Sequence, residues 1–316
     1  MVLEIVLLLI GFILIIKASD VLIDCASSIA LLCKVPKMLI ALTIVSFGTC
    51  APEVAISFNS VAANNGSMAL ANVIGSCIVN ILLIIGIAAI VNPIKVKNST
   101  VKKELPILFL ITSIFFVLLM DRLFNPNTPT SFSRFDGAVL ILSFGIFVYY
   151  LIRLLKNKKQ DQGGVEKKYN LPVALILFVI STIVIIYSSD LIVDNALSLA
   201  ERIHVSPKII TMIAVVVGTS LPELVMTVTS AKRGEFDMAI GNIIGTNIFN
   251  ICIVLGLPIL IYGDLELVDF NFIDIFVVLL SSFLLYLFAR SEKEISKKEG
   301  IIMLVVFCCY YIYLFI

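Results

Sequence analysis

The chain has 316 residues, of which 60% are hydrophobic and only 14% are charged, and its net charge is +1. Soluble domains are typically about a quarter charged, so this composition excludes a soluble domain and predicts a polytopic membrane protein. The small net charge argues neither for nor against nucleic acid, and the single histidine, His204, excludes a histidine cluster for zinc.

Hydrophobic runs follow one another along the whole chain, and at about 20 residues per span they provide about ten transmembrane helices. We expect spans near residues 2–31, 36–62, 67–92, 105–120, 136–155, 171–201, 206–231, 237–262, 270–289 and 300–316. The first run carries Glu4 and lacks a basic start and a small-residue cleavage site. We therefore expect it to be retained rather than removed as a signal peptide.

Basic residues are concentrated in alternate loops. The loops after spans 1, 3, 5, 7 and 9 contain 18 of the 23 lysines and arginines. Because cytoplasmic loops are enriched in these residues, we predict that these loops are cytoplasmic. Both termini would then face the outside of the cell. The predicted fold is an all-α membrane protein of two five-helix repeats, residues 1–155 and 171–316, joined by a cytoplasmic linker at 156–170. An odd number of spans in each half inverts the second repeat relative to the first.

An internal repeat carries the strongest functional signal. Residues 43–86 align with residues 213–256 without a gap, and 15 of the 44 positions are identical. The first motif is Gly48-Thr49-Cys50-Ala51-Pro52-Glu53, which recurs as Gly218-Thr219-Ser220-Leu221-Pro222-Glu223. The second is Gly75-Ser76-Cys77-Ile78-Val79-Asn80, which recurs as Gly245-Thr246-Asn247-Ile248-Phe249-Asn250. Interrupted hydrophobic segments at matched positions of two halves are typical of a transporter's binding site.

The first motif predicts a helix break beside a carboxylate. Glycine loosens a helix, and proline lacks an N–H donor and clashes with the carbonyl four residues back. Carbonyls freed at such a break are tolerated at membrane depth only where they are buried in protein or line water. Glu53 and Glu223 follow within a turn, and ionisable groups at this depth indicate a functional site. One such glutamate has a ready structural explanation, but two matched copies favour a shared function.

The second motif adds neutral oxygen donors. Ser76 and Asn80 are four residues apart, as are Thr246 and Asn250, so each pair lies on one helix face. Two carboxylates with neutral oxygens match the ligands that calcium takes, and a site charge of about −2 balances one Ca²⁺ or two Na⁺. Since two like charges lie close together, we expect an empty site to bind a proton, which makes occupancy mutually exclusive.

Both motifs resemble the alpha repeats of the calcium/cation antiporter superfamily, specifically small prokaryotic members of its sodium/calcium exchanger family. The resemblance implies that Glu53 and Glu223 are central carboxylate ligands, with Asn80 and Asn250 as their partners. It also implies further ligands from the backbone carbonyls of Thr49, Thr219, Ser46 and Val216, and from Ser76, Ser220 and Thr246. In the family, spans 1 and 6 slide across the other eight to switch access.

Two positions depart from the family pattern. The usual serine after Gly-Thr is Cys50 in the first copy, and a thiol is a poor ligand for Na⁺. The other departure is Asn250, where several family members have aspartate, and this argues against potassium co-transport. Both copies read Gly-Thr rather than the Gly-Asn of the proton-coupled branch, which favours sodium.

The sequence therefore predicts a secondary antiporter that exchanges Ca²⁺ for Na⁺ by alternating access, with a Ca²⁺/H⁺ or other divalent-cation exchanger as the alternative. An intramembrane enzyme would need a nucleophile–base pair or an Asp dyad, which the duplicated glutamates do not provide. A passive channel is disfavoured because one chain already closes a pseudo-symmetric site. We expect no cofactor, no nucleic-acid partner and a functional monomer in the lipid bilayer. For Asp20 and Asp190 we favour a structural or gating role.

Overall fold

The computed structural model describes residues 2–120, 131–156, 168–202, 218–266 and 271–315. The helices are α1 Val2–Leu32, α2 Lys37–Thr49, α3 Ala51–Ala62, α4 Gly66–Val91, α5 Asn98–Lys102, α6 Glu104–Leu118, α7 Arg134–Lys156, α8 Leu171–Arg202, α9 Leu221–Lys232, α10 Phe236–Tyr262, α11 Phe272–Ser291 and α12 Lys297–Phe315. Four strands of two residues each are β1 Ile94–Lys95, β2 Ser131–Phe132, β3 Leu265–Glu266 and β4 Glu294–Ile295.

Long apolar helices dominate the described part of the chain. Six of them are long and apolar enough to cross a membrane, namely α1, α4, α7, α8, α10 and α11. Helices α2 and α3 together make a seventh candidate, bent by 53° at the break between them. The predicted helical membrane fold is confirmed, whereas the count of ten spans stays a prediction.

The two halves repeat each other in detail. The N–H of Asn65 donates to the carbonyl of Ser60 (2.8 Å), and 170 residues later the N–H of Glu235 donates to that of Ser230 (2.9 Å). Each of these turns contains a residue with positive φ, which is Asn64 (56°) in the first copy and Gly234 (73°) in the second. The duplicated sequence therefore folds into duplicated local structure.

The strands join one half to the other. Strand β1 pairs antiparallel with β4, and β2 pairs antiparallel with β3. Because β1 follows α4 and β3 follows α10, the two ribbons are related by the symmetry of the repeat. Helix α6 runs from the end of the bundle that holds β1 to the end that holds β2. The halves are thus fastened together at both ends, as two inverted repeats require.

Helices α4 and α10 form the centre of the bundle. Within their apolar windows, 78% and 83% of the residues are buried. Glycine allows close packing around them, because a Cβ on Gly300 of α12 would lie 2.7 Å from the carbonyl oxygen of Gly86. In the other half, a Cβ on Gly137 of α7 would lie 2.9 Å from the carbonyl oxygen of Gly256. Small residues at such crossings let transmembrane helices approach closely.

Helices α1 and α8 form a pair at the edge of the bundle. Their apolar windows are only 28% buried, and they pack along each other in a second apolar cluster that also includes residues of α2, α9 and α10. The pair touches the glycine of each first motif: a Cβ on Gly48 would lie 3.2 Å from Thr182, and one on Gly218 would lie 2.9 Å from Val193. This peripheral pair therefore contacts both predicted helix breaks.

Candidate cation site

Both predicted helix breaks are present, with the same backbone geometry. Cys50 separates α2 from α3 with φ −76° and ψ 3°, and Ser220 precedes α9 with φ −88° and ψ 6°. Proline occupies one of the first two positions of each following helix, and Glu53 and Glu223 lie in its first turn. The partial positive charge of a helix N-terminus stabilises a carboxylate there. Each break thus places a negative group at the point where the helix restarts.

The second motif lies on the two central helices, at matched irregularities. A π-helical segment interrupts α4 at Val79–Ile85 and α10 at Asn250–Leu255. Such segments are rare and occur often at functional sites. Asn80 and Asn250 lie within these segments and are completely buried. Ser76 and Thr246, one turn earlier, are at most 1% exposed. The amide and hydroxyl groups predicted as ligands therefore face the interior of the protein.

The two halves contribute jointly to one site. The hydroxyl of Thr219 in the second half and that of Ser76 in the first are polar neighbours of Glu53. The hydroxyl of Thr49 in the first half is in turn a neighbour of Glu223, which also experiences the charge of Glu53. Both carboxylates have no solvent exposure. The structure therefore brings the glutamates of the two repeats together, with threonines exchanged across the symmetry axis.

Cys50 belongs to the same group. Its thiol is completely buried, and it neighbours Thr246 and both carboxylates. Ser220, the matched residue of the second copy, is 1% exposed. The thiol consequently stands where the repeat otherwise supplies a hydroxyl.

Many polar atoms of the site have no hydrogen-bond partner among the described residues. They are both carboxylate oxygens of Glu53 and Glu223, the hydroxyl oxygens of Ser76, Ser220 and Thr246, Oδ1 of Asn80, and both amide atoms of Asn250. Buried polar groups in proteins are almost always satisfied, and leaving a charge unpaired costs far more than leaving a neutral group. Among the described residues, no three His, Cys, Asp or Glu side chains are arranged so that together they could hold a metal ion. A cation here would therefore be held by two carboxylates and neutral oxygens.

Asn247 is a polar residue of the site that the motif analysis did not single out. Its Oδ1 accepts a hydrogen bond from Nδ2 of Asn80 (3.0 Å), and its Nδ2 donates to the carbonyl of Cys77 (3.5 Å). Since Nδ2 of Asn80 is engaged, its Oδ1 is left to face a cation. The equivalent of Asn247 in the first half is Cys77, so Asn250 lacks the corresponding partner.

Asn72 and Asn242 also belong to the site although the motifs do not include them. They support the helices that carry the two carboxylates. Nδ2 of Asn72 donates to the backbone carbonyl of Glu53 (3.2 Å) and to Oγ of Ser57 (3.0 Å). Nδ2 of Asn242 donates to the hydroxyl of Thr227 (3.3 Å), which is the residue equivalent to Ser57. Because they are identical in the aligned repeats, the sequence comparison could have identified them. These amides tie the helices that carry the glutamates to the central helices.

Ser46 lies at the packing contact between α2 and α10. Its Oγ donates to the carbonyls of Ala41 (2.7 Å) and Asn242 (3.0 Å). Its carbonyl accepts from the N–H of Cys50 (3.1 Å) and from Oγ1 of Thr49 (3.3 Å). The Ser46 carbonyl is thus hydrogen-bonded rather than freed by the break, and a cation could use it only if these bonds lengthened. Its predicted partner in the second half, Val216, lies outside the described residues.

Glycine makes the α2–α10 contact possible. A Cβ on Gly245 would lie 2.3 Å from Oγ of Ser46 and 2.8 Å from the carbonyl oxygen of Leu42. The first residue of the second motif is therefore required for close packing between the two halves.

An ion-pair network breaks the symmetry of the repeats. The Arg233 guanidinium, which follows α9, donates to the carbonyl of Asp20 (3.0 Å) and to the Asp24 carboxylate of α1. Nζ of Lys168, just before α8, donates to the other oxygen of Asp24 (2.6 Å), and this bond raises the pKa of Lys168. Asp20 and Asp24 recur as Asp190 and Asp194, but the residue equivalent to Arg233 is Ala63, which is uncharged. Among the described residues, this kind of ion pairing to α1 or α8 is therefore present at one end of the pair.

Known proteins resemble this chain over nearly its whole length. The sequence profile of the family described as sodium/calcium exchanger protein matches residues 3–153 and 173–316. Inner membrane protein YrbG of Escherichia coli is 32% identical over 96% of this chain and 94% of its own length. Sodium/calcium exchanger MaX1 of Methanosarcina acetivorans is 27% identical over 98% of this chain and 97% of its own length. The crystal structure of the sodium-calcium exchanger NCX_Mj soaked with zero Na⁺ and Ca²⁺ superimposes with a TM-score of 0.83 at 30% identity, covering 99% of each chain.

Proposed function

Since this chain belongs to the sodium/calcium exchanger protein family, we propose that it exchanges Ca²⁺ for Na⁺ across the membrane by alternating access. The chain is a multi-pass membrane transporter and not an enzyme. The observation that carries the proposal is the pair of completely buried carboxylates, Glu53 and Glu223, with oxygens that no described residue satisfies.

Electrostatics favours a bound cation at this place. Removing a charge from water costs several kcal/mol unless an opposite charge compensates it, and two neighbouring carboxylates repel each other as well. One Ca²⁺ or two Na⁺ would offset the charge of Glu53 and Glu223. Neutral donors would complete the six to eight oxygens that Ca²⁺ takes. We assign this role to the side chains of Asn80, Asn250, Ser76, Ser220 and Thr246 and to the carbonyls of Thr49 and Thr219.

The same site can serve both ions only in turn, because its charge balances one Ca²⁺ or two Na⁺ but not all three. Exchange then requires that the loaded site open alternately to the two sides. The peripheral α1–α8 pair, which touches both helix breaks, is the element whose movement would open it. We propose that one chain suffices, since both halves of the site lie within it, and that both termini face the outside of the cell.

Cys50 supports a second candidate, a Ca²⁺/H⁺ or other divalent-cation/H⁺ exchanger. The thiol neighbours both carboxylates and is a poor ligand for Na⁺, so it removes one hydroxyl from the expected sodium ligands. If sodium is the counter-ion, Cys50→Ser should strengthen the dependence of exchange on Na⁺ and leave the dependence on a pH gradient unchanged.

The decisive experiment is ⁴⁵Ca²⁺ uptake into proteoliposomes that contain the purified protein. Three conditions are compared, which are an outward Na⁺ gradient, equal Na⁺ on both sides, and a pH gradient alone. We expect uptake only with the Na⁺ gradient and none in Glu53→Gln or Glu223→Gln. Uptake driven by the pH gradient alone would establish the second candidate, and uptake under equal Na⁺ would indicate a channel.

A matched control separates loss of the site from loss of the fold. Asp274 is another carboxylate within a helix, but it accepts a hydrogen bond from the hydroxyl of Tyr310 (3.0 Å) and lies in the first turn of α11, outside the two motifs in sequence. Asp274→Asn should therefore retain exchange. If it abolished uptake as completely as Glu53→Gln, the assignment of the glutamates would have no support.

A further inference from the structure

A groove between α6 and α7 lies outside the cation site and has a charged mouth. Its volume is about 470 Å³. Lys102 and Lys103 precede α6, and Arg153 lies in the last turn of α7, so all three cations line the same end of the groove. Among the described residues, none of the three forms an ion pair with a carboxylate. The mouth therefore carries three positive charges that no described residue neutralises by an ion pair, and the Glu104 carboxylate interacts electrostatically with Lys103.

The side chains around the mouth leave its cations available to bind a ligand. The guanidinium of Arg153 lies 5.1 Å from the ring centroid of Tyr149, and this cation–π contact positions it without using its N–H donors. The Tyr150 hydroxyl donates to the carboxylate of Glu104, which is 98% buried beside the groove and does not line it. The Glu104 carboxylate is thus covered by tyrosine.

The deeper part of the groove is apolar and open to the membrane. Leu110 and Ile146 line it, and each is 45% exposed. Both lie seven residues from the charged mouth along their helices, which is about 10 Å at 1.5 Å per residue. A ligand that fills this groove needs an anionic group at one end and hydrocarbon about 10 Å away. A phosphate ester attached to acyl chains has this shape, whereas a soluble phosphate lacks the hydrocarbon.

We propose that this groove binds an anionic phospholipid, with its phosphate at Lys102, Lys103 and Arg153 and an acyl chain against Leu110 and Ile146. Basic pockets between transmembrane helices at the cytoplasmic side recognise anionic head groups, and positive charge places this mouth on the predicted cytoplasmic side. The proposal is independent of which ions the protein exchanges.

The absence of tryptophan from the sequence makes a direct test possible. Leu110→Trp introduces a single tryptophan into the groove, and brominated phospholipids quench tryptophan on contact. The protein is reconstituted with brominated phosphatidylglycerol or brominated phosphatidylcholine at equal mole fraction. We expect a preference of about one hundredfold for phosphatidylglycerol at this position, given three cations near the membrane surface. At Val305→Trp, on the lipid-facing side of α12, the two lipids should quench equally.

Charge substitutions identify the source of the preference. Replacing Lys102, Lys103 and Arg153 by glutamine should make quenching at position 110 equal for the two lipids. Lys156→Gln, an exposed cation of α7 that does not line the groove, should preserve the preference. Equal quenching before any substitution would overturn the proposal, and so would an equal effect of Lys156→Gln. Relief of quenching by soluble glycerol phosphate would assign the mouth to a free phosphate instead of a lipid.

Discussion

The contact between Arg233 and Asp24 predicts an unequal distribution between the two access states. Arg233 belongs to the predicted cytoplasmic loops and joins α9 to α1, whereas its counterpart Ala63 can form no ion pair. We expect Arg233→Ala to release α1 and α8 at this face and to increase the population of conformations in which the pair has moved.

The size of the shift follows from burial. The Asp24 side chain is 13% exposed and that of Arg233 is 34% exposed, so solvent screens part of the interaction. Exposed ion pairs contribute about 0.2–1 kcal/mol, and hydrogen bonds to charged groups about 1.5–3 kcal/mol. Lys168 still compensates Asp24 in the variant, so we expect a cost of about 1–2 kcal/mol, a factor of about 5–30 in the equilibrium.

Spin-label distances can measure this equilibrium. Cys33 is exposed directly after α1, and Lys95→Cys in β1 provides a second site on the rest of the bundle. The other exposed cysteines, Cys308 and Cys309, are replaced by serine. Pulsed dipolar spectroscopy then gives the population of each distance with and without Arg233→Ala.

Two comparisons decide whether the ion pair is responsible. Lys232→Ala removes the neighbouring charge, for which no ion pair exists among the described residues, and should leave the distances unchanged. In a double-mutant cycle, Arg233→Ala and Asp24→Asn should couple by about 1 kcal/mol. Additive effects of the two substitutions, or an equal shift in Lys232→Ala, would refute the reasoning.

Three further predictions concern stability and can be checked by thermal unfolding in detergent. Gly245→Ala should lower Tm and expression, because its Cβ would lie 2.3 Å from Oγ of Ser46 and overpacking costs about 1–3 kcal/mol. Gly145→Ala, with nothing within 4 Å of its Cβ, should be neutral or slightly stabilising, and a similar loss in both variants would contradict the packing argument. Glu53→Gln should raise Tm in ion-free buffer and remove the stabilisation by Ca²⁺, because it removes a buried charge. A lower Tm without ions would show that the protein itself satisfies the carboxylate. Asn72→Leu should cost about 1–3 kcal/mol because the backbone carbonyl and hydroxyl that it satisfies become unpaired, and an unchanged Tm would rule out this anchoring role.

Several features of the site were accessible from sequence because they are local. Proline at matched positions breaks a helix wherever it occurs in the interior, and both breaks lie where the motifs predicted them. The burial of Glu53, Asn80 and their repeats follows from the apolar segments around them. Asn72 and Asn242 could have been found by the same comparison, since they are identical in the aligned repeats.

Sequence patterns and residue spacing could not predict the long-range contacts. The hydrogen bond between Asn80 and Asn247 joins residues 167 apart, and that between Arg233 and Asp24 joins residues 209 apart. The alignment of the two repeats does not indicate these partners either. Asn247 aligns with Cys77 and Arg233 aligns with Ala63, so the repeats differ at both positions.

The sequence by itself determined the membrane class, the duplicated plan, the two helix breaks and the carboxylates beside them. Each of these depends on composition or on residues within a few turns of one helix. Only the tertiary structure decided which oxygens of the described residues remain unpaired, that the Ser46 carbonyl is already bonded, and that Arg233 and Lys168 form ion pairs with Asp24. These depend on how separate helices approach one another, and side-chain size at contacts such as Gly245 against Ser46 sets that approach.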